Sequence, residues 1–170
     1  MATVLKRPSE CSDQELEAFE QLVVKGGEVN PKGLGQRIRR AERLVFHFTD
    51  KHQLIGVGAL KVPSTTYKHK VFKRSRSREN PNEFDFELGW VFVDKHFRGQ
   101  RLSRLLVGTL LQVTKGKNVY ATTKKDNEPM QKTNLRLGLK RAGSPFLSDE
   151  GDHKLILFTK TSRGPSGILG

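Results

Sequence analysis

One segment, residues 84–113, constrains the fold more than any other. Phe84, Phe86, Leu88, Trp90 and Phe92 alternate with Asp85, Glu87, Gly89, Val91 and Val93, the period-two pattern of a strand. A polar connection runs to Gln100. Leu102, Leu105, Leu106, Leu110 and Val113 then recur at helical spacing over 101–115, and Gly116 stops the pattern. A long strand that turns into an amphipathic helix belongs to a mixed α/β protein. The turn also gathers helix-start N–H groups that have no internal partner, at the end of the helix dipole that favours negative charge. Gly99 permits close backbone approach, Arg98, Arg101 and Arg104 add charge, and Ser103 adds a hydroxyl. Such a turn can cradle a pyrophosphate. A turn that binds nothing has the same spacing.

The flanks support the α/β reading. Ser12 or Asp13 caps a helix whose stripe includes Leu16, Phe19 and Val23 and which Gly26-Gly27 ends. A second helix is expected over 31–41. Strands follow at 44–49 and 54–62, and an early strand at 2–5 precedes the helices. Residues 61–82 carry Lys61, Lys68, Lys70, Lys73, Arg74, Arg76 and Arg78 against Glu79. They read as a basic loop insertion with room for one helical turn. After the central helix come a strand at 119–123, a helix capped by Asp126 or Asn127 and closed by Gly138, and a last strand at 154–159. Residues 1–161 are read as a single domain and 162–170 as a flexible tail.

Composition narrows the function classes. Lys and Arg number 31 against 18 Asp and Glu in 170 residues, a net charge of +13. A chain so basic is drawn to polyanions or phosphate-rich ligands and suits cationic small molecules poorly. The single Cys11 excludes an intramolecular disulfide and a cysteine metal cluster, and the five histidines show no ligand spacing, so no metal is expected. No apolar run reaches membrane-spanning length, and the N-terminus lacks the apolar core of a signal peptide. A cytoplasmic protein without membrane contact, monomer or homodimer, is expected.

Residues 86–93, the turn Arg98-Gly99-Gln100-Arg101-Leu102-Ser103 and the helix after it resemble the acetyl-CoA-binding core of the GNAT acyltransferases. Asn127-Glu128-Pro129-Met130, leading to Leu137-Gly138-Leu139, is similar to that family's Asn-to-Gly-Phe segment. The likeness spans roughly residues 1–160. It implies a mixed, mostly antiparallel central sheet flanked by helices, with a splayed strand pair that admits the cofactor. It further implies an N-acetyltransferase that uses acetyl-CoA or another acyl-CoA. Pantetheine would pair with the backbone of Val91, Phe92 and Val93. Pyrophosphate would sit on the amides of Arg98, Gly99, Gln100, Arg101, Leu102, Ser103 and Arg104. Asn127 would touch the cofactor from the next strand–helix junction. Glu87 falls where many members place the carboxylate that deprotonates the acceptor amine; its bland alternative is a surface or salt-bridged acid.

Two positions depart from the family pattern. Arg101 replaces a glycine, and helical dihedrals are expected there. Asn134 stands where members often carry a tyrosine that acts as acid. Tyr120 is a substitute candidate, against a plainer role as a half-buried strand aromatic, and Trp90 is read as core. For the acceptor, Arg37 and Arg40 in the second helix and Lys68, Lys70, Lys73 and Arg74 in the basic loop, interleaved with Tyr67, His69 and Phe72, suit phosphate contact and stacking. A nucleic-acid-linked amine such as aminoacyl-tRNA follows. The alternatives are a small-molecule or protein N-acetyltransferase with an incidental basic surface, and a degenerate fold serving as a nucleic-acid-binding module.

Overall fold

Ser12 and Glu15 close a capping box: each side chain accepts the other residue's backbone N–H at 3.1 Å. The box starts the first long helix. In the computed structural model, which describes residues 1–162, the elements run β1 (Ala2–Lys6), α1 (Asp13–Lys25), α2 (Leu34–Arg39), β2 (Arg43–Phe48), β3 (Leu54–Lys61), α3 (Thr65–Ser75), β4 (Phe84–Val93), α4 (Leu102–Leu111), β5 (Asn118–Lys124), α5 (Glu128–Arg136), β6 (Lys140–Leu147) and β7 (Lys154–Lys160). The seven strands follow the order β1-β2-β3-β4-β5-β7-β6. Pairings β1–β2, β2–β3, β5–β7 and β6–β7 are antiparallel, and β4–β5 is parallel. This is the mixed, mostly antiparallel sheet with flanking helices that the sequence implied.

The chain forms two units that divide β4 between them, Met1–Val62 with Leu88–Gln112, and Pro63–Glu87 with the residues from Val113 onward. In the first unit, Leu16, Phe19, Leu22 and Val23 of α1 join Leu34 and Ile38 of α2 against Leu44, Phe46, Val57 and Ala59. Phe19 meets Phe46 edge-on at 5.4 Å and Trp90 at 6.4 Å. Full burial of one such side chain contributes roughly 1.5–3 kcal/mol. Neighbouring strand residues face the other way, and there α4 lays Leu106 beside Gly56 and Leu110 beside Gly58. Trp90 is core, as expected.

In the second unit, Val71 and Phe72 of α3 pack with Phe84, Tyr120, Ala142, Phe146 and Leu157. Phe72 lies 5.0 Å from the Phe84 ring and 5.3 Å from that of Tyr120. Here the structure corrects the sequence reading. The basic stretch is not a loop with one turn. It holds the 11-residue helix α3, capped by Ser64 through a 3.2 Å bond from the Tyr67 amide, and a short 3-10 turn at Pro81–Glu83. A strand that was not foreseen, β6, pairs with β7. The second helix is shorter than expected, because Gly33 in the left-handed region delays its start to Leu34. Of the predicted tail, only Ser162 lies among the described residues; the remainder lies outside them.

Candidate active site

The turn between β4 and α4 is built around its backbone. The first helical N–H to find a partner within the turn is that of Leu105, bonded to the Arg101 carbonyl at 3.2 Å. The amides of Leu102, Ser103 and Arg104 come before it, and no side chain caps them. Gly99 (φ +81) and Arg101 (φ +60) are both left-handed. The expectation of helical dihedrals at Arg101 is therefore wrong. The residue is the helix N-cap, in a conformation that costs a side-chain-bearing residue about 1–2 kcal/mol. Arg98, Gly99, Gln100, Arg101 and Arg104 are exposed, whereas Leu102 is anchored in the core.

Arg98 turns back. Its Nε donates to the Val93 carbonyl at 3.1 Å, and its guanidinium lies over the Phe92 ring at 5.6 Å. Asp94, the first residue past β4, accepts Lys25 Nζ at 2.5 Å and the His96 amide at 3.0 Å. The Lys25 bond, then the amide, holds its carboxyl below the usual range. Strict alternation ends within β4. Glu87 and Leu88 are both buried, and Trp90 takes φ +50, an outlier for so large a residue. Val91 and Phe92 are half-buried, and Val93 is buried.

The second unit holds the acid group. Glu87 is 3 % exposed and faces Tyr120 in strand register. The surface alternative for this residue does not hold. Tyr120 is fully buried, with no exposed surface, rather than half-buried. Tyr67 of α3 lies close enough to Glu87 to feel its charge. Burial first, and then the Glu87 carboxylate, pushes both phenols above their ordinary range, so both stay protonated at neutral pH.

Nearby, Asn127 accepts the Met130 amide at 3.2 Å and caps α5, so its Oδ1 is committed to the helix while its Nδ2 takes no part in the cap. Asn134 is 1 % exposed and donates to Thr123 at 3.0 Å; it has no titratable proton to offer. Gln131, which the sequence reading overlooked, donates to the Lys124 and Lys125 carbonyls at 3.1 and 2.7 Å and accepts from Arg141 at 2.8 Å. It thereby fixes the end of β5.

The cations nominated for nucleic acid are mostly committed to the protein. Arg37 donates to the Asn30 and Lys32 carbonyls at 2.7 and 3.3 Å. Lys68 donates to the Phe84 carbonyl at 2.8 Å. Lys70 pairs with Asp149 at 2.5 Å, and Arg74 pairs with the same carboxylate. Arg40 and Lys73 are exposed. Among the aromatics, Phe72 is buried core, His69 meets Asn82 at 2.7 Å, and Tyr67 keeps 40 % of its surface exposed.

The sequence model of the Acetyltransferase (GNAT) family matches residues 16–139, which include the uncapped turn and Glu87. The chain belongs to the GNAT family. As a GNAT enzyme it is an acyl-CoA N-acetyltransferase, and acetyl-CoA is its cofactor. Solved GNAT folds resemble it along nearly the whole chain. An acyl-CoA N-acyltransferase from Pseudomonas aeruginosa is 20% identical with TM-score 0.66, over 94% of this chain and 99% of that one. Escherichia coli ElaA is 15% identical with TM-score 0.70, over 94% and 99%. Arabidopsis thaliana NAA60, solved in complex with acetyl-CoA, is 13% identical with TM-score 0.66, over 94% and 99%. No curated protein sequence matches this GNAT chain. No helix among the described residues is long and apolar enough to cross a membrane.

Proposed function

We propose that this GNAT enzyme acetylates a free amine, with Glu87 as the base and the start of α4 as the cofactor's diphosphate site. The uncapped turn carries the proposal. Three adjacent amides (Leu102, Ser103 and Arg104) precede the first bonded amide of the turn, and the exposed Arg101 and Arg104 add charge beside them. A diphosphate needs donors that keep no other partner, together with positive potential, and this turn supplies both. Val91, Phe92 and Val93 would hold the pantetheine arm, and the Asn127 Nδ2 would meet the cofactor at the start of α5.

Acetyl-CoA supplies an acyl group activated as a thioester. The chain's own part is proton management. Glu87 accepts the proton from the acceptor amine as it attacks. Tyr67 and Tyr120, held protonated, do not compete for that proton. Asn134 cannot serve as an acid, so this chain works without the tyrosine that the resemblance would place there.

For the acceptor we favour the amine of a small molecule or peptide over a nucleic-acid-linked one. Four of the six nominated cations already serve carbonyls or Asp149, so the basic composition does not amount to a phosphate-binding surface. The test is thiol release from acetyl-CoA against pools of neutral or acidic small-molecule amines, peptides and tRNA. Turnover with the first two classes, insensitive to salt, is expected. A steep linear fall of log K with log salt, on tRNA, would instead support the nucleic-acid reading. Glu87→Gln should lower turnover by about 10²–10⁴-fold with acetyl-CoA binding intact. Unchanged turnover would remove Glu87 as the base. Failure to bind acetyl-CoA at all would leave a degenerate binding module.

A further inference from the structure

The end of α3 meets β6 along a seam that is tight at one point and open beyond it. At Gly143 the two come so close that a Cβ would collide with the Ser75 carbonyl. Past Gly143 the seam widens into a cleft of about 530 Å³, with Arg74, Arg76, Ser144, Phe146, Ser148 and Asp149 among its walls. β6 is the outermost strand of the sheet, paired only with β7 among the described residues. Its register jumps between Ala142 and Phe146, and Pro145, inside the jump, has no N–H to offer. An edge broken in this way resists the addition of another strand, so the cleft does not suit an extended peptide. Its volume and its mixture of apolar and polar walls suit a small molecule.

The charges narrow the ligand. Asp149 takes Lys70 Nζ at 2.5 Å and also pairs with Arg74, so both of those cations are engaged. Arg76 differs. It caps α3 at φ +58, its amide bonded to the Lys73 carbonyl at 3.1 Å. Its guanidinium is exposed and bonds to no described residue. Glycine takes this backbone position without strain, so the cap by itself does not call for arginine. The exposed Ser144 hydroxyl is equally unbonded among the described residues. The Ser148 Oγ accepts the Glu150 amide at 3.1 Å and keeps its own proton to donate. Phe146 is buried beneath these donors, and Leu147 beside it is 58% exposed. With Arg74 paired to Asp149, the walls keep one uncompensated cation. A doubly charged anion would lack a second partner there and would face Asp149.

We propose that this cleft binds a small organic monocarboxylate, its carboxylate held by the Arg76 fork and the Ser144 and Ser148 hydroxyls, its apolar body laid on Phe146 and Leu147. A planar guanidinium fork matches a carboxylate in geometry as well as charge. Glu87 is not among the walls, so the site is an accessory one and stands whether or not Glu87 is the base.

The test titrates the full chain with 3-phenylpropionate as the probe and follows backbone amide shifts by NMR. Its neutral amide, 3-phenylpropionamide, and inorganic phosphate are the controls. Saturable shifts centred on Arg76, Ser144 and Ser148 are expected at about millimolar probe. The neutral amide and phosphate should bind at least about tenfold more weakly. Arg76→Gly suits the left-handed cap, and thermal melting verifies its fold; its affinity for the probe should fall at least about tenfold. Arg76→Lys, which keeps the charge without the fork, should fall between the two. Equal binding of the neutral amide, tighter binding of phosphate, or unchanged affinity in Arg76→Gly would each overturn the proposal. So would shifts centred on other residues, or no saturation by about 20 mM probe.

Discussion

The Arg98 Nε donates to the Val93 carbonyl at 3.1 Å, so the side chain that opens the turn between β4 and α4 bonds back to the end of the strand before it. This bond ties the turn to the end of β4, beside the Asp94 bonds to the His96 and Phe97 amides. Removing it frees the turn to sample other shapes. Arg98→Ala is therefore expected to weaken acetyl-CoA binding about tenfold, in line with the loss of a charge-assisted bond at a preorganised site. Calorimetric titration checks this; unchanged affinity would show that the turn holds its shape without Arg98.

Arg101 occupies the left-handed region at φ +60 with no side-chain cap to offset the strain. Glycine there avoids the clash but gains freedom in the unfolded chain, so Arg101→Gly should stabilise by about 0.5–1 kcal/mol net. The melting temperature would rise by about 1–4 °C. Trp90, at φ +50, differs: its ring is core, and glycine there should cost several kcal/mol despite the relieved backbone.

Gly143 of β6 has φ +69, and a Cβ on it would collide with the Ser75 carbonyl at the end of α3. Gly143→Ala is expected to destabilise by more than about 2 kcal/mol, because the colliding atom is backbone rather than a flexible side chain and φ is positive. Urea denaturation measures it. A small effect would show that β6 does not pack tightly on α3.

His47 is 3 % exposed and shares a 2.7 Å bond with the Thr3 hydroxyl, which joins β1 to β2. Burial, aided by the charge of the N-terminus, holds its imidazole below the ordinary value of 6.5. The unfolded chain therefore takes up the proton first. Stability from this residue is complete above pH 6.5 and declines as pH falls below 6.5 toward the lowered folded value. The urea midpoint should drop between pH 7 and 5, and drop less in His47→Asn. The paired carboxylates of Glu15, Asp94 and Asp149, all held low, act below that window.

Much of the site could be read from sequence because it depends on backbone order. The strand, the polar turn and the amphipathic helix announce themselves through periodicity, and Ser12 and Asn127 act as the caps their positions suggest. What stayed hidden was three-dimensional. Lys68, Lys70, Lys73 and Arg74 mask the short apolar stripe of α3, although Ser64 before Tyr67 was a readable cap signal. In β6, only Ala142 and Phe146 are buried around Gly143 and Pro145, so no alternation marks the strand. The positive φ at Trp90 shifts the faces of β4, and no local pattern foretells it. The packing of Phe72 on Tyr120 required knowing where α3 docks. Net charge counts cations without showing which of them serve a carbonyl or Asp149.

The most direct test of the diphosphate site is paired calorimetry with acetyl-CoA and S-acetylpantetheine, which carries the same thioester and arm without the diphosphate. Acetyl-CoA should bind at micromolar order, about −8 kcal/mol, and S-acetylpantetheine at least about 100-fold more weakly. Equal affinities, or no heat with acetyl-CoA, would contradict the assignment of the Leu102, Ser103 and Arg104 amides as the diphosphate site.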